Sequence, residues 1–161
     1  MVRAAQQSAW QVAGLLSLPK YAGSEKISIW AQDLHCEEKR LLASVQRKDE
    51  NDLVFGKWFF NRQTLVWGKD VLKASIPCDL LVVDELGPIE LRLSQGWTNA
   101  LDVILTGQFH LALVVIRPEL VELVQPFLNF NQVISFSKVD EVAEKVLHYS
   151  SWFNGIRNSL T

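Results

Sequence analysis

The sequence predicts an α/β domain whose parallel sheet is preceded by an antiparallel β meander. Three observations carry that reading. Leu80, Leu81, Val82 and Val83 form an apolar run without alternation, as do residues 111–116, and such runs suit strands covered on both faces. Ile27, Ile29 and Ala31 alternate with other residues, the pattern of a half-covered strand. From Leu80 onward, strand-like and helix-like segments take turns, which argues for a parallel sheet.

The elements follow in order. Residues 3–11 are good helix formers with no capping side chain ahead of them, so this helix reads as cut rather than initiated. Residues 12–17 form a short apolar strand that the turn around Leu18, Pro19 and Gly23 should end. Residues 27–33 and 40–45 continue the meander, joined through the charged turn from His35 to Lys39. Residues 54–60, with Phe55, Trp58, Phe59 and Phe60, read as an aromatic strand or its approach. Asn61 can cap a helix over 62–73 that buries Leu65, Val66, Val71 and Leu72. Pro77 and Cys78 then feed the Leu80 strand, and one helical turn is expected at 89–93.

The second half continues the alternation. The spacing predicts an amphipathic helix over 95–106, with Trp97, Leu101, Ile104 and Leu105 on one stripe and Gly107 as its stop. Residues 111–116 form the second doubly covered strand. Pro118 suits the first position of a new helix, and Glu119 suits its positive end. A last strand is expected at 133–136 and a last helix at 139–149. Residues 1–150 read as a single domain and 151–161 as a tail.

Composition narrows the class. A chain of 161 residues, 48% hydrophobic and 21% charged, is long enough for one real core and too short for two. A formal net charge of -2 gives no electrostatic footprint for nucleic acid. The longest apolar runs are strand-sized, so no membrane span is expected, and the first residues lack the apolar core of a signal peptide. Two cysteines make no disulfide framework, and the expected setting is a reduced cytoplasm.

The residues that carry chemistry cluster after the Leu80 run. Asp84 and Glu85 fall at its carboxyl end, where ligands bind in such sheets. Glu90 follows in what reads as a first helical turn, where an acid also simply favours the helix dipole. Trp58 and Trp67 could line a stacking surface, although large aromatics in a small domain are more often core. His35 and Cys36, next to Glu37 and Glu38, have no partners at metal-ligand spacing. His110 and His148 have no catalytic companion in the sequence.

The pieces Gly14-Leu-Leu-Ser17, Asp33-Leu34, Leu41-Leu-Ala43, Gly56-Lys-Trp58, Trp67-Gly68, residues 78–90, Gly96-Trp97 and residues 114–118 occur in a fixed order. Together they resemble the cancer-related nucleoside-triphosphatase family, and its bacterial branch with an Asp-Glu-Leu-Gly-Pro signature. That resemblance implies a RecA-like P-loop NTPase sheet that hydrolyses nucleoside triphosphates with Mg²⁺ and little base selectivity. It implies that Asp84 holds Mg²⁺ through water, and that Glu85 acts as general base. Glu90 would be a further acidic catalytic residue. Arg117, at the carboxyl end of the next strand, is where a cation could meet a γ-phosphate.

One departure is large. Such enzymes begin with a strand, a GxxxxGK(S/T) loop and a helix, and residues 1–161 contain no such loop. The Gly-Lys pairs are Gly56-Lys57 and Gly68-Lys69, neither followed by Ser or Thr. The expectation is therefore a truncated or degenerate form, inactive alone, that binds Mg²⁺ and ATP or GTP only when the loop is supplied. The alternative is a non-catalytic binding or scaffold remnant of the fold. The absent strand is expected beside Leu80–Val83, which would leave that strand an open edge and a route to self-association.

Overall fold

The computed structural model describes residues 1–135. The expected helix at 139–149, the tail at 151–161 and His148 lie outside the described residues. Seven strands form one sheet in the order β4-β5-β3-β2-β1-β6-β7. They are β1 (Val12–Ala22), β2 (Glu25–Asp33), β3 (Lys39–Ser44), β4 (Leu53–Phe55), β5 (Trp58–Phe60), β6 (Cys78–Leu86) and β7 (Phe109–Ile116). The helices are α1 (Val2–Gln7), α2 (Arg62–Ala74), α3 (Pro88–Leu91), α4 (Ala100–Leu105) and α5 (Val121–Val124), with a 3₁₀ turn at Pro118–Leu120. The α/β class and the mixed sheet agree with the sequence.

The antiparallel meander is present, with two changes. β1 runs past residue 17 through Pro19 to Ala22 and pairs along that length with β2. The aromatic segment is two strands, because Gly56 at φ +58 turns the chain between Phe55 and Trp58. Helix α2 starts as expected: the Asn61 side chain accepts the Thr64 N–H at 2.8 Å. Its buried face is Thr64, Leu65, Gly68, Val71 and Leu72, whereas Val66 is 60% exposed and was misassigned. Helix α1 stops at Gln7, short of residue 11, since Ala9 adopts φ +60 and drops the chain into β1.

The sheet has one well-covered and one lightly covered face. On one, Leu15, Leu72, Leu81, Val83, Trp97 and Val103 belong to the main core beneath α2 and α4. On the other, α1 brings Ala5 against Val12, Leu34, Leu80 and Val82. At the amino ends of β6 and β7, Asp79 accepts the Gln11 N–H at 2.7 Å and pairs with His110 at 2.9 Å. His110 thus has a structural partner, remote in the strand direction from Asp84 and Glu85.

Two expectations about the parallel part are corrected. Leu80–Val83 does not have an open edge: β6 pairs in parallel with β1 on one side and β7 on the other. A gap-free sheet around that strand counts against placing an absent strand there. The outer edge belongs to β7, which ends the sheet order among the described residues. β7 is also not doubly covered, since none of its residues is buried and Val115 is 46% exposed. An edge strand lacks a neighbour whose side chains would close over its own.

The expected helix over 95–106 shrinks to α4 at Ala100–Leu105, and Leu105 is 58% exposed. Gly96 sits at φ +67, and the Trp97 N–H is taken by a side chain instead of a helical carbonyl. Trp97 matched the helical stripe but is buried from a turn. Near the end of the described chain, residues 133–135 form no strand.

Candidate functional site

The site begins with a register shift. β6 and β7 pair as Asp84 with Val115 and Leu86 with Ile116, so Glu85 is the extra residue of a bulge. Bulges re-aim side chains at strand ends. Here Asp84 and Glu85 both line one cavity of about 520 Å³, together with Glu90, Arg117, Ser17 and Lys26. All four acidic and basic residues expected from sequence are therefore brought together.

Asp84 is held from β1. The Ser17 N–H donates to Asp84 Oδ2 at 3.1 Å, and the Ser17 hydroxyl donates to the Asp84 backbone carbonyl. Burial pushes the Asp84 carboxyl up to about 6; the Ser17 N–H opposes this, the Glu85 charge adds to it, and Lys26 opposes it. Ser17 entered the sequence reading only as part of a motif. Its role depends on the parallel pairing of β1 with β6, which joins residues far apart in the chain.

Glu85 meets Arg117. Arg117 donates from Nε at 3.1 Å and from Nη2 at 2.9 Å, both to Glu85 Oε1. The two side chains are 49% and 38% exposed, and an ion pair this open is worth roughly 0–1 kcal/mol. A more highly charged anion could displace it.

Glu90 is wired into the backbone. Its Oε2 accepts the Gly87 N–H and its Oε1 accepts the Trp97 N–H, each at 3.0 Å. Burial pushes its carboxyl up to about 7, outweighing the Trp97, Gly87 and Glu90 N–H groups that favour the charged form. Two glycines make room for this arrangement. A Cβ on Gly96 would lie 2.0 Å from Glu90 Oε1, and one on Gly68 would lie 2.2 Å from Trp97 Nε1. Separate motif fragments thus form one buttress: Gly68 admits Trp97, and Trp97 and Gly96 seat Glu90. This contact set was not legible from spacing.

The remaining candidates separate. Trp58 lines the cavity, whereas Trp67 lies under Arg40, whose guanidinium is 4.8 Å from its ring centroid. His35 and Cys36 only close a turn on Asp33. Cys78 is buried and its thiol is pushed up to about 11, chiefly by burial and further by Asp79, so it is inert as a nucleophile.

A hard divalent cation such as Mg²⁺ takes oxygen ligands, often one or two carboxylates plus phosphate oxygens and water. Asp84 keeps Oδ1 outside its Ser17 bond, and Glu85 adjoins it in the same cavity wall. That donor set fits. Among the described residues, no group of three or more His, Cys, Asp or Glu gathers as a complete cage. No described helix is long and apolar enough to cross a membrane.

Known proteins resemble this chain in sequence and in fold. Nucleoside-triphosphatase THEP1 of Caldivirga maquilingensis is 26% identical over 141 residues, spanning 86% of this chain and 78% of that protein. THEP1 of Methanosarcina barkeri is 26% identical over 122 residues, spanning 75% and 68%. The solution structure of a human cancer-related nucleoside triphosphatase matches in fold, with a TM-score of 0.57 at 16% identity. That match covers 91% of this chain and 86% of the human one. The profile of the family described as NTPase matches residues 1–147. With nearly the whole chain matched, it belongs to that nucleoside-triphosphatase family.

Proposed function

We propose that Asp84, Glu85 and Arg117 form the metal-binding and water-activating side of a nucleoside-triphosphate hydrolysis site. Its phosphate-binding loop would come from outside residues 1–161. The observation that supports this most is the meeting of Asp84, Glu85 and Arg117 at one end of the parallel strands, in one cavity. Asp84, steadied by Ser17, would hold Mg²⁺, which when bound lowers the charge on the phosphates. Glu85 accepts a proton from a water as its oxygen bonds to the γ-phosphorus, while the bond to the leaving diphosphate oxygen breaks. Arg117 turns from Glu85 to the phosphate oxygens and so frees Glu85 as base. Glu90 contributes by fixing the Gly87 turn just after Glu85, with both its oxygens committed to N–H groups.

The outer edge of β7 supports the placing of the loop. Both edges of β6 are taken and β7 is outermost among the described residues, so a further strand in the parallel part would fit beyond β7, on the Arg117 side. The same edge supports self-association when no such strand is present. Val115→Lys, on that exposed strand, is then expected to shift a concentration-dependent dimer towards monomer in sedimentation experiments. An association constant unchanged by this substitution would remove β7 as the contact.

Activity follows from phosphate contacts. Charge-assisted hydrogen bonds contribute roughly 1.5–3 kcal/mol each, and a micromolar site is worth only about 8 kcal/mol in all. Losing three of them pushes nucleotide affinity to about millimolar or weaker. The 161-residue chain alone is therefore expected to release no measurable phosphate from Mg-ATP or Mg-GTP. A longer chain that carries a GxxxxGK(S/T) loop should turn over and lose that turnover in Glu85→Gln. Turnover by the 161-residue chain that vanishes in Asp84→Asn or Glu85→Gln would refute the need for the loop. A loop-bearing chain that stays inactive would leave a binding remnant as the reading.

A further inference from the structure

Ser17 grips Asp84 at two points, and only one of them is the carboxylate. Its N–H donates to Asp84 Oδ2 at 3.1 Å, whereas its hydroxyl donates to the Asp84 backbone carbonyl. The β1–β6 pairing runs from Val12 with Leu80 to Leu15 with Val83, so Asp84 lies one residue past its end. On the other side, the β6–β7 register shifts between Asp84 and Leu86. The Asp84 carbonyl therefore sits where one ladder ends and the other slips. A side-chain hydroxyl reaches it there.

That bond acts on the next residue. The carbonyl is half of the peptide group joining Asp84 to Glu85, and a planar peptide moves as one body. Holding its oxygen sets the direction in which the Glu85 Cα leaves the strand, and so the arc that the Glu85 side chain can sweep. On the far side of Glu85, Glu90 Oε2 accepts the Gly87 N–H at 3.0 Å and fixes the turn that follows. Glu85 is thus held before and after, with its Oε1 reaching both Nε and Nη2 of Arg117. We propose that Ser17 is a positioning residue for the site, its hydroxyl aiming Glu85 towards Arg117 through the peptide that joins Asp84 to Glu85. Its purpose rests on the hydrolysis reading, but its geometry does not. The position demands a side-chain hydroxyl, which serine and threonine supply.

Heteronuclear NMR of the Arg117 side chain tests this in the 161-residue chain, without nucleotide or divalent ions. Arg117→Lys deletes the Nε–H resonance and so assigns it, and Glu85→Ala marks its position when unpaired. Ser17→Ala should carry the resonance most of the way to that mark. It should also speed exchange of the proton by roughly two- to fivefold, the range an open ion pair allows. Ser17→Thr should keep the resonance where the unaltered chain has it. Ser75→Ala is the control: it loses a bond of the same kind, from a serine hydroxyl to the Val71 carbonyl at 2.7 Å, outside the cavity lining. That change should leave Arg117 in place. If Ser17→Ala loses native circular dichroism, Ser17→Cys replaces it with the same expectation, since a thiol is only a weak donor. An unmoved Arg117 resonance in a folded Ser17→Ala or Ser17→Cys chain would overturn the role. An equal displacement in Ser75→Ala would do so too, as would a Ser17→Thr chain that behaves like Ser17→Ala, because loosening or packing would then be the cause. Since no turnover enters the measurement, failure of the hydrolysis reading leaves this result standing, and the reverse also holds.

Discussion

Gly14→Ala is expected to leave much of the chain unfolded. Gly14 pairs with Val82 where β1 meets β6, at φ +113, a conformation that side-chain-bearing residues rarely adopt. A Cβ there would lie 2.0 Å from the Val82 carbonyl oxygen and 2.8 Å from the Val82 carbonyl carbon and nitrogen. All three are backbone atoms of a central strand, so no side chain can swing aside. Backbone strain costs about 1–3 kcal/mol, and overpacking adds about 1–3 kcal/mol. The sum is a large part of the roughly 5–15 kcal/mol that holds a domain folded. Gly23→Ala is the control, with positive φ but nothing within 4 Å of the new Cβ, and its cost should be about 1 kcal/mol. Urea unfolding of the three chains checks this. Equal midpoints for Gly14→Ala and Gly23→Ala would show that β1 can retreat from β6 at little cost.

Stability should fall as pH rises from about 4 to about 7, opposite to ordinary acid denaturation. Glu90 keeps its proton to about 7 in the folded chain against an ordinary value of 4.5, and Asp84 to about 6 against 3.8. Within those windows the unfolded chain has released protons that the folded chain retains. Stability rises with pH only where the unfolded state binds more protons, so the sign here is negative. At about 1.4 kcal/mol for each pH unit of separation, the two acids together account for at most on the order of 6 kcal/mol. Their contribution is fully present below the unfolded values and is lost once pH passes the folded ones. Urea midpoints at pH 5 and pH 8, without divalent ions, measure it. The midpoint should be lower at pH 8, and Glu90→Gln should flatten the larger part of the change. A midpoint that climbs from pH 5 to pH 8 would mean that both carboxylates are charged and well solvated in the folded chain.

How much the sequence disclosed varies with the range of the interaction. β6 was legible because Leu80, Leu81, Val82 and Val83 are covered on both faces and leave an uninterrupted apolar run. The α2 start was legible because the Asn61 cap acts on a residue three positions away. Asp84 and Glu85 were legible as strand-end acids, and Arg117 as the next strand's cation. The bracing of these residues was not, because it joins distant segments: Ser17 reaches Asp84, and Gly68 makes room for Trp97. The misread helix over 95–106 has the same origin. Trp97 fits a helical stripe, but Glu90 claims its N–H and Gly96 turns the chain. Nor can an apolar run announce its neighbours, which is why β7 read as covered although it closes the sheet order among the described residues.

β1 is flanked by two partners of very different reach. It meets β2 through a tight turn at Gly23, yet Val12 also faces Leu80 across the whole meander and α2. Closing the first contact fixes a few residues, whereas closing the second must organise a long loop before any reward arrives. The expected order of assembly is therefore meander first, then capture of β6 and β7. Ser17 waits on β1 in the early unit, while Asp84, Glu85 and Arg117 arrive with the late one. Pulse-labelled amide exchange should accordingly protect Leu16 and Trp30 before Val82 and Val114. The carboxylates would then meet their partners only in the final act of folding, which makes the site itself a reporter of a completed chain.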